Sequence, residues 1–432
     1  MNTHAATAPL PAFQSGAGLV ETLVGTLIAT IVIVAIFNIL SVAEAYKRAT
    51  IGVSDAEVTG LVSQFMAVRD AANGGAGITM SGTDLIKCTH DESGNPILGM
   101  PVTRLAAAVR PIPVLVTDGG ATYVSDRFIA FSTGAAHVIW PVDFTATSPA
   151  GAPITVQSPN GFTVPSPATT PYWAIAMAND GSGRCTLLRI VAATAADLQG
   201  HVTLTQGGPV TTIPYDAGSP ARLLNLGPVG KATRIQYDHD AANAALRTTD
   251  LLAVPPAAPI PVPVAQNIVL MKVQYGVGPH VLPTGAHDGI VTCWTAAVTA
   301  SACSNGVSND FGDAAVRNFT LPQLNSILAV RIGIVVRSDE PDLRLLTDPT
   351  NAGLQAETRG LLGSTRSQPY LFNCSANTDA ACPGRIKVPM GAGVPAGSAS
   401  CAPAVICDYW RYRTYEVVVP IRNAIYSATM TP

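Results

Sequence analysis

Residues 23–42 read LVGTLIATIVIVAIFNILSV, an uncharged run that decides the architecture of the chain. At ~1.5 Å of rise per residue, a helix of about 20 residues crosses a ~30 Å hydrocarbon core. The run is longer than the apolar centre of a secretory signal, and no A-x-A cleavage site comes after it. By itself it fits an N-terminal signal anchor. Just upstream lies Gln14-Ser15-Gly16-Ala17-Gly18-Leu19-Val20-Glu21, which places one carboxylate at the margin of the apolar stretch. An ionisable group there is costly to hold in lipid, so by default it has a function and a partner.

The helical pattern does not stop with the apolar run. Val58, Leu61, Val62, Phe65, Val68 and Ala72 recur at steps of three and four, with Asp55, Glu57, Gln64 and Arg69 between them. Asn73-Gly74-Gly75 then supplies a stop signal. A helix over residues 17–73 has about 57 residues and reaches roughly 85 Å. Its first half suits lipid (a span at about 23–42), and its second half suits packing against a folded head.

Composition bounds the remaining residues, 74–432. Charged residues are 12% of the chain, against ~25% in an ordinary soluble domain, while apolar residues are 48%. That excludes charge-driven disorder. The 38 glycines and 34 prolines show no Gly-X-Y period, which excludes collagen-like sequence. A net charge of −3 and a pI near 6.1 argue against a nucleic-acid partner, which requires a basic face. Strands are expected at 127–132, 173–177, 186–192, 233–237, 269–275, 327–337 and 412–419, where β-branched or aromatic runs are bounded by Gly, Pro and Asn. Pro- and Gly-rich tracts at 148–171, 254–263 and 387–403 separate them, and the middle one (VPPAAPIPVP) predicts extended polyproline-like chain or an edge-covering loop.

All eight cysteines, Cys88, Cys185, Cys293, Cys303, Cys374, Cys382, Cys401 and Cys407, lie after the apolar run. An even set on one side of a span points to disulfides in an oxidising compartment. Eight cysteines allow 105 connectivities. Local loops favour Cys293–Cys303, Cys374–Cys382 and Cys401–Cys407, which leaves Cys88 for Cys185. Zinc is the rival reading, but no C-x2-C spacing and no histidine at ligand distance supports it. Lys47 and Arg48, beyond the span, would by charge counting hold that side in the cytoplasm. The cysteines argue the opposite orientation, and we follow them.

Catalytic motifs are absent: there is no H-E-x-x-H, G-x-x-x-x-G-K-[ST] or G-x-S-x-G, and no Rossmann G-x-G-x-x-G in a strand–helix setting. Asp238-His239-Asp240 reads as a hairpin end rather than a metal site. Asn309-Asp310-Phe311-Gly312-Asp313 lacks the acid spacing and closing Glu of a calcium loop and reads as a turn. No enzyme, cofactor or metal is expected.

The segment around Gly16 resembles the processing site of type IV prepilins, whose leader ends in Gly and whose fifth mature residue is Glu. Cleavage between Gly16 and Ala17 gives Glu21 that position. Three head blocks, VLMKVQYGVG (269–278), ILAVRIGIVVRSDE (327–340) and RYRTYEVVVPIRN (411–423), are similar to the PilW family of type IV pilus minor pilins, and VRDAANGGAG (68–77) resembles that family's helix end. The resemblance implies an α+β, pilin-like fold, with a long N-terminal helix packed on a large, disulfide-bonded, mainly antiparallel β head carrying Pro/Gly-rich insertions. It implies a leader at 1–16 removed by prepilin peptidase and N-methylation at Ala17. Glu21 would then pair with the freed amino group of a neighbouring subunit, and the partners would be other minor pilins, the major pilin, inner-membrane lipid and a tip adhesin. The head would lie in the periplasm of a bacterium and later at the cell surface. Two alternatives stay open: a non-polymerising, signal-anchored binding ectodomain, and a minor pseudopilin of a type II secretion system.

Overall fold

A computed structural model of the chain describes residues 18–77, 88, 112–120, 124–134, 140–159, 161–162, 170–179, 182–208, 211, 214–215, 221–252, 259–278, 290–295, 303, 310–317, 319, 321–339, 370–372, 386–387 and 412–421. Helix α1 (Leu19–Asn73) comes first. The chain divides into two compact units at Val53/Ser54, so the apolar part of α1 stands in one unit and the remainder of the helix belongs with the head. The helix ends at the predicted stop, where Gly75 has a φ of 80° that a side chain would oppose.

The head then runs through β1 (Val114–Thr117), β2 (Arg127–Ser132), β3 (Val142–Asp143), β4 (Ile154–Val156), β5 (Tyr172–Met177), β6 (Cys185–Ala193), β7 (Val202–Gly207) and β8 (Arg222–Pro228). Next come β9 (Thr233–Asp240), β10 (Ala245–Asp250), β11 (Val262–Ala265), β12 (Ile268–Val277) and β13 (Cys293–Thr295). Short helices α2 (Asp313–Val316) and α3 (Leu321–Asn325) precede β14 (Ile327–Arg337), β15 (Tyr370–Leu371), β16 (Ile386–Lys387) and β17 (Tyr412–Pro420). All the pairings among the described residues are antiparallel. The fold is therefore an N-terminal apolar helix leading into antiparallel β structure.

Two sheets carry the head's main core. One has the order β1-β2-β9-β10-β11 and the other β13-β12-β14-β17. β12 (IVLMKVQYGV) is buried along its whole length, and β14 (ILAVRIGIVVR) is buried at nine of its positions. Near-continuous apolar runs of this kind belong to strands covered on both faces. On one side Met271, Val273, Ile332 and Ile334 join Ala67 and Ala71 of the helix in the core. On the other, Val269 and Val335 pack with Leu371 and Phe372. The tract at 254–263 ends in the edge strand β11, where Pro263 opposes Arg247. An edge tolerates the missing N–H of a proline.

Between β2 and β9 the chain inserts a third sheet, with order β3-β8-β5-β6-β7-β4. Its two outermost strands meet: Phe144 bridges Val156, Thr145 N donates to Thr155 O at 2.9 Å, and Gln157 N donates to Asp143 O at 3.2 Å. The two ends of the sheet thus meet and close it into a six-stranded barrel. In β5 alternate residues separate two cores. Tyr172, Ala174 and Ala176 join Phe144, Ile154 and Leu188 in one cluster. Trp173, Ile175 and Met177 face Phe131, Leu226 and Cys88 in another.

Candidate functional site

The first turn of α1 starts from Gly18, whose carbonyl accepts from Glu21 N at 2.8 Å and from Thr22 N at 3.2 Å. Glu21 is exposed in that turn, where a carboxylate complements the positive end of the helix dipole. Gly16 and Ala17, the expected cleavage and methylation positions, lie outside the described residues. The hydroxyls that interrupt the apolar run fold back on the helix: Thr22 donates to Leu19 O, Thr26 to Leu23 O, Thr30 to Thr26 O and Ser41 to Asn38 O, at 2.7–2.9 Å. These bonds leave the outer surface apolar, as a bilayer requires. Residues Leu19–Glu44 form a helical stretch long and apolar enough to cross a membrane as an anchor or a signal sequence would.

From Ser54 onward the helix has two contrasting faces. Ala56, Gly60, Ser63, Ala67 and Ala71, spaced four, three, four and four apart, turn toward the sheets; Ala56, Ser63, Ala67 and Ala71 are buried. Their small size lets the backbone approach the sheet closely, and they form a single stripe on the helix surface. The opposite face carries Val58, Leu61, Val62 and Phe65, which are 60%, 58%, 46% and 67% exposed. The apolar periodicity read from the sequence is real, but it marks the wrong face for the core. Of its six positions, Val68 and Ala72 pack against the head's core, while the other four large side chains stay exposed. The small-residue stripe was legible in principle from its spacing. Large apolar residues dominated the pattern and concealed it.

Polar contacts fasten the inner face to β17. Gln64 Nε2 donates to Glu416 O at 3.0 Å, the Tyr415 hydroxyl donates to Ala56 O at 3.2 Å, and Arg413 Nη2 stands 3.4 Å from Glu57 Oε1. Near the helix end, the Tyr237 hydroxyl donates to Asp70 Oδ2 at 2.7 Å, and its ring stacks on Phe128 with centroids 4.6 Å apart. Burial, and after it the Asp70 hydrogen bond, pushes the Tyr237 phenol far up, so it stays protonated and keeps donating. Behind β17, the Arg331 guanidinium lies 4.2 Å from the Phe372 ring and 5.0 Å from the Trp294 ring, and burial lowers it to about 10. Burial likewise raises the Glu416 carboxyl, against the pull of the Phe372 amide and Arg331.

Two of the expected disulfides are formed, Cys88–Cys185 and Cys293–Cys303. Cys374, Cys382, Cys401 and Cys407 lie outside the described residues. Asp238-His239-Asp240 ends β9 at a hairpin, as expected, although its side chains are more engaged than a solvated turn requires. Asp238 and Asp240 share Arg247, and His239 Nε2 bonds the Ile268 carbonyl at 2.8 Å. In the 309–313 motif, Asp310 Oδ1 accepts from Gly312 N at 2.9 Å and leads into α2, a turn; Asn309 lies outside the described residues.

Comparison with family models, with curated proteins and with solved structures finds no match to this chain.

Proposed function

We propose that this protein is a minor pilin of a type IV pilus, held by its helix in the bacterial inner membrane and recruited into the complex that starts the filament and ends at its tip. The observation that carries the reading is the two-faced second half of α1. One face packs on the head through small residues, and the opposite face presents Val58, Leu61, Val62 and Phe65 to solvent. A helix that only tethered a head would gain nothing from a bare apolar face beyond the membrane. A helix that exchanges lipid for neighbouring helices along its length needs one. The Gly16–Glu21 segment and the three head blocks support the same reading. On it, prepilin peptidase removes residues 1–16, and Glu21 pairs with the new amino group of an adjacent pilin, sparing both charges an unpaired burial.

Determining the mature N-terminus of the protein made by its own host tests this directly. A chain that begins at an N-methylated Ala17 is expected. A chain that retains its first residues and stays in the membrane returns the protein to the signal-anchored ectodomain class. Glu21→Ala is expected to leave the head folded and to reduce surface filaments. Undiminished piliation in that variant would count against the assembly role.

A further inference from the structure

Lys272 sits in the middle of β12 between Met271 and Val273, an ammonium among apolar neighbours. Its side chain is 4% exposed, and that of Asp126, just before β2, is 2% exposed. Lys272 Nζ lies 2.7 Å from Asp126 Oδ1, and a second carboxylate, Asp118, stands 3.8 Å from the same nitrogen. The backbone holds Asp126 rigidly beside β12. Asp126 N donates to Met271 O at 2.8 Å, and Ser125 Oγ accepts from Met271 N at 3.1 Å. Gly119 N donates to Asp126 Oδ1 at 3.0 Å and Val273 N to Oδ2 at 2.8 Å.

We propose that Lys272 and Asp126 condense spontaneously into an intramolecular amide, with Asp118 as the acid–base group. Three features of the cluster lead there. One lysine faces two carboxylates, Asp126 buried with it and Asp118 partly exposed beside it, so a second acid–base group stands near the reacting pair. The Asp126 carbon lies one bond beyond an oxygen already in hydrogen-bond contact with Nζ, and held reactants of this kind gain very large effective concentrations. The reacting pair itself is also withdrawn from bulk water, which would otherwise favour hydrolysis. Burial pushes the Asp126 carboxyl upward despite the Lys272 charge, in the direction a neutral pair requires.

The step balances without oxidant or cofactor. Proton transfer leaves a neutral amine at Lys272 and a neutral carboxylic acid at Asp126. The Nζ lone pair attacks Cγ of Asp126, and the negative charge that develops on Oδ2 is met by the Val273 N–H. Asp118 takes a proton from Nζ and passes it to Oδ1. The Cγ–Oδ1 bond breaks, water leaves, and an amide joins residues 146 apart in sequence. The product exchanges a buried ion pair for a neutral bond between the two main sheets. For a protein in a filament under tension, that bond would bear load between β12 and the segment entering β2.

The test is a tryptic peptide map of the full chain, purified in detergent, reduced and alkylated. Expected is a branched peptide joining the Lys272 and Asp126 stretches, lighter than their sum by one water, with no cleavage after Lys272. Recovery of both stretches as linear peptides overturns the proposal and leaves an ordinary buried ion pair. Asp126→Asn is expected to form the same branch with loss of ammonia in place of water, and Asp118→Asn to lose most of it. Branching in Asp118→Asn equal to that of the unaltered protein removes Asp118 from the mechanism. The Cys88–Cys185 disulfide, read in a non-reduced digest of each variant, reports that the head has folded.

Discussion

The ring of Tyr415 lies against the bare Cα of Gly60: a Cβ built at residue 60 would stand 2.1 Å from Tyr415 Cε2. From that position the hydroxyl reaches the carbonyl of Ala56, so one side chain near the end of the chain closes on two helix residues about 355 positions earlier. The absence of a side chain at residue 60 lets the β17 edge of the four-stranded sheet approach the helix. The contact turns Val58, Leu61, Val62 and Phe65 away from the head.

This contact makes the effect of Gly60→Ala depend on residue 415. In the natural background the added methyl forces the ring aside, and a loss of about 1–3 kcal/mol is expected. In a Tyr415→Ala background the obstruction is gone, and the same change should stabilise by up to ~1 kcal/mol through helix propensity. Chemical denaturation of the four proteins checks this. Equal effects in the two backgrounds would mean that the ring is not what Gly60 accommodates.

The outer face gives the converse expectation. Leu61→Gln and Phe65→Gln replace exposed side chains, so the head's stability should change by no more than about 0.5 kcal/mol. If neighbouring helices cover this face in the filament, both variants should lose assembly while their melting curves overlay that of the unaltered protein. A variant that assembles normally would show that the face has another purpose.

Disulfide Cys88–Cys185 joins residues 97 apart in sequence, and Cys88 is fully buried in one cluster with Trp173 and Leu187. Replacing both cysteines with serine should cost about 2–5 kcal/mol. Tryptophan fluorescence, with Trp173 in the same cluster, should report the loss. An unchanged denaturation midpoint would show that packing around residues 88 and 185 suffices without the bond.

Much of the architecture was legible because it arises from strong local signals. β2 and β14 begin and end where their β-branched runs do, and the other expected strands differ only by extension at their ends. The helix stop at Asn73-Gly74-Gly75 and two disulfide pairs could be read in the same way. The barrel could not. β3 and β4 are two and three residues long, and they acquire meaning only when Phe144 meets Val156 across the closure. Lys272 gave a clear hint, a lone ammonium inside IVLMKVQYGV, but its partners are brought in from residues 118–126 by pairing between distant strands. Periodicity reported an apolar helix face without saying which face the head would take, because small residues bury efficiently while adding little to an apolar pattern.

His239 offers a pH-dependent check on the β9–β10 hairpin. Its Nε2 donates to the Ile268 carbonyl, and burial lowers its pKa below the ordinary value, outweighing that hydrogen bond and the nearby Asp240 and Asp238; Arg247 lowers it further. The unfolded chain, with a histidine near ~6.5, therefore binds this proton more readily than the folded one. Stability must then decline as pH falls through about 6.5 and level off below the folded-state value. His239→Gln keeps a donor for Ile268 but cannot be protonated in this range. The difference in denaturation midpoint between the unaltered protein and His239→Gln should shift toward the variant on going from about pH 7.5 to about pH 5.5. Other titrating groups are common to both proteins and cancel, so parallel curves would mean that His239 titrates as it does in the unfolded chain.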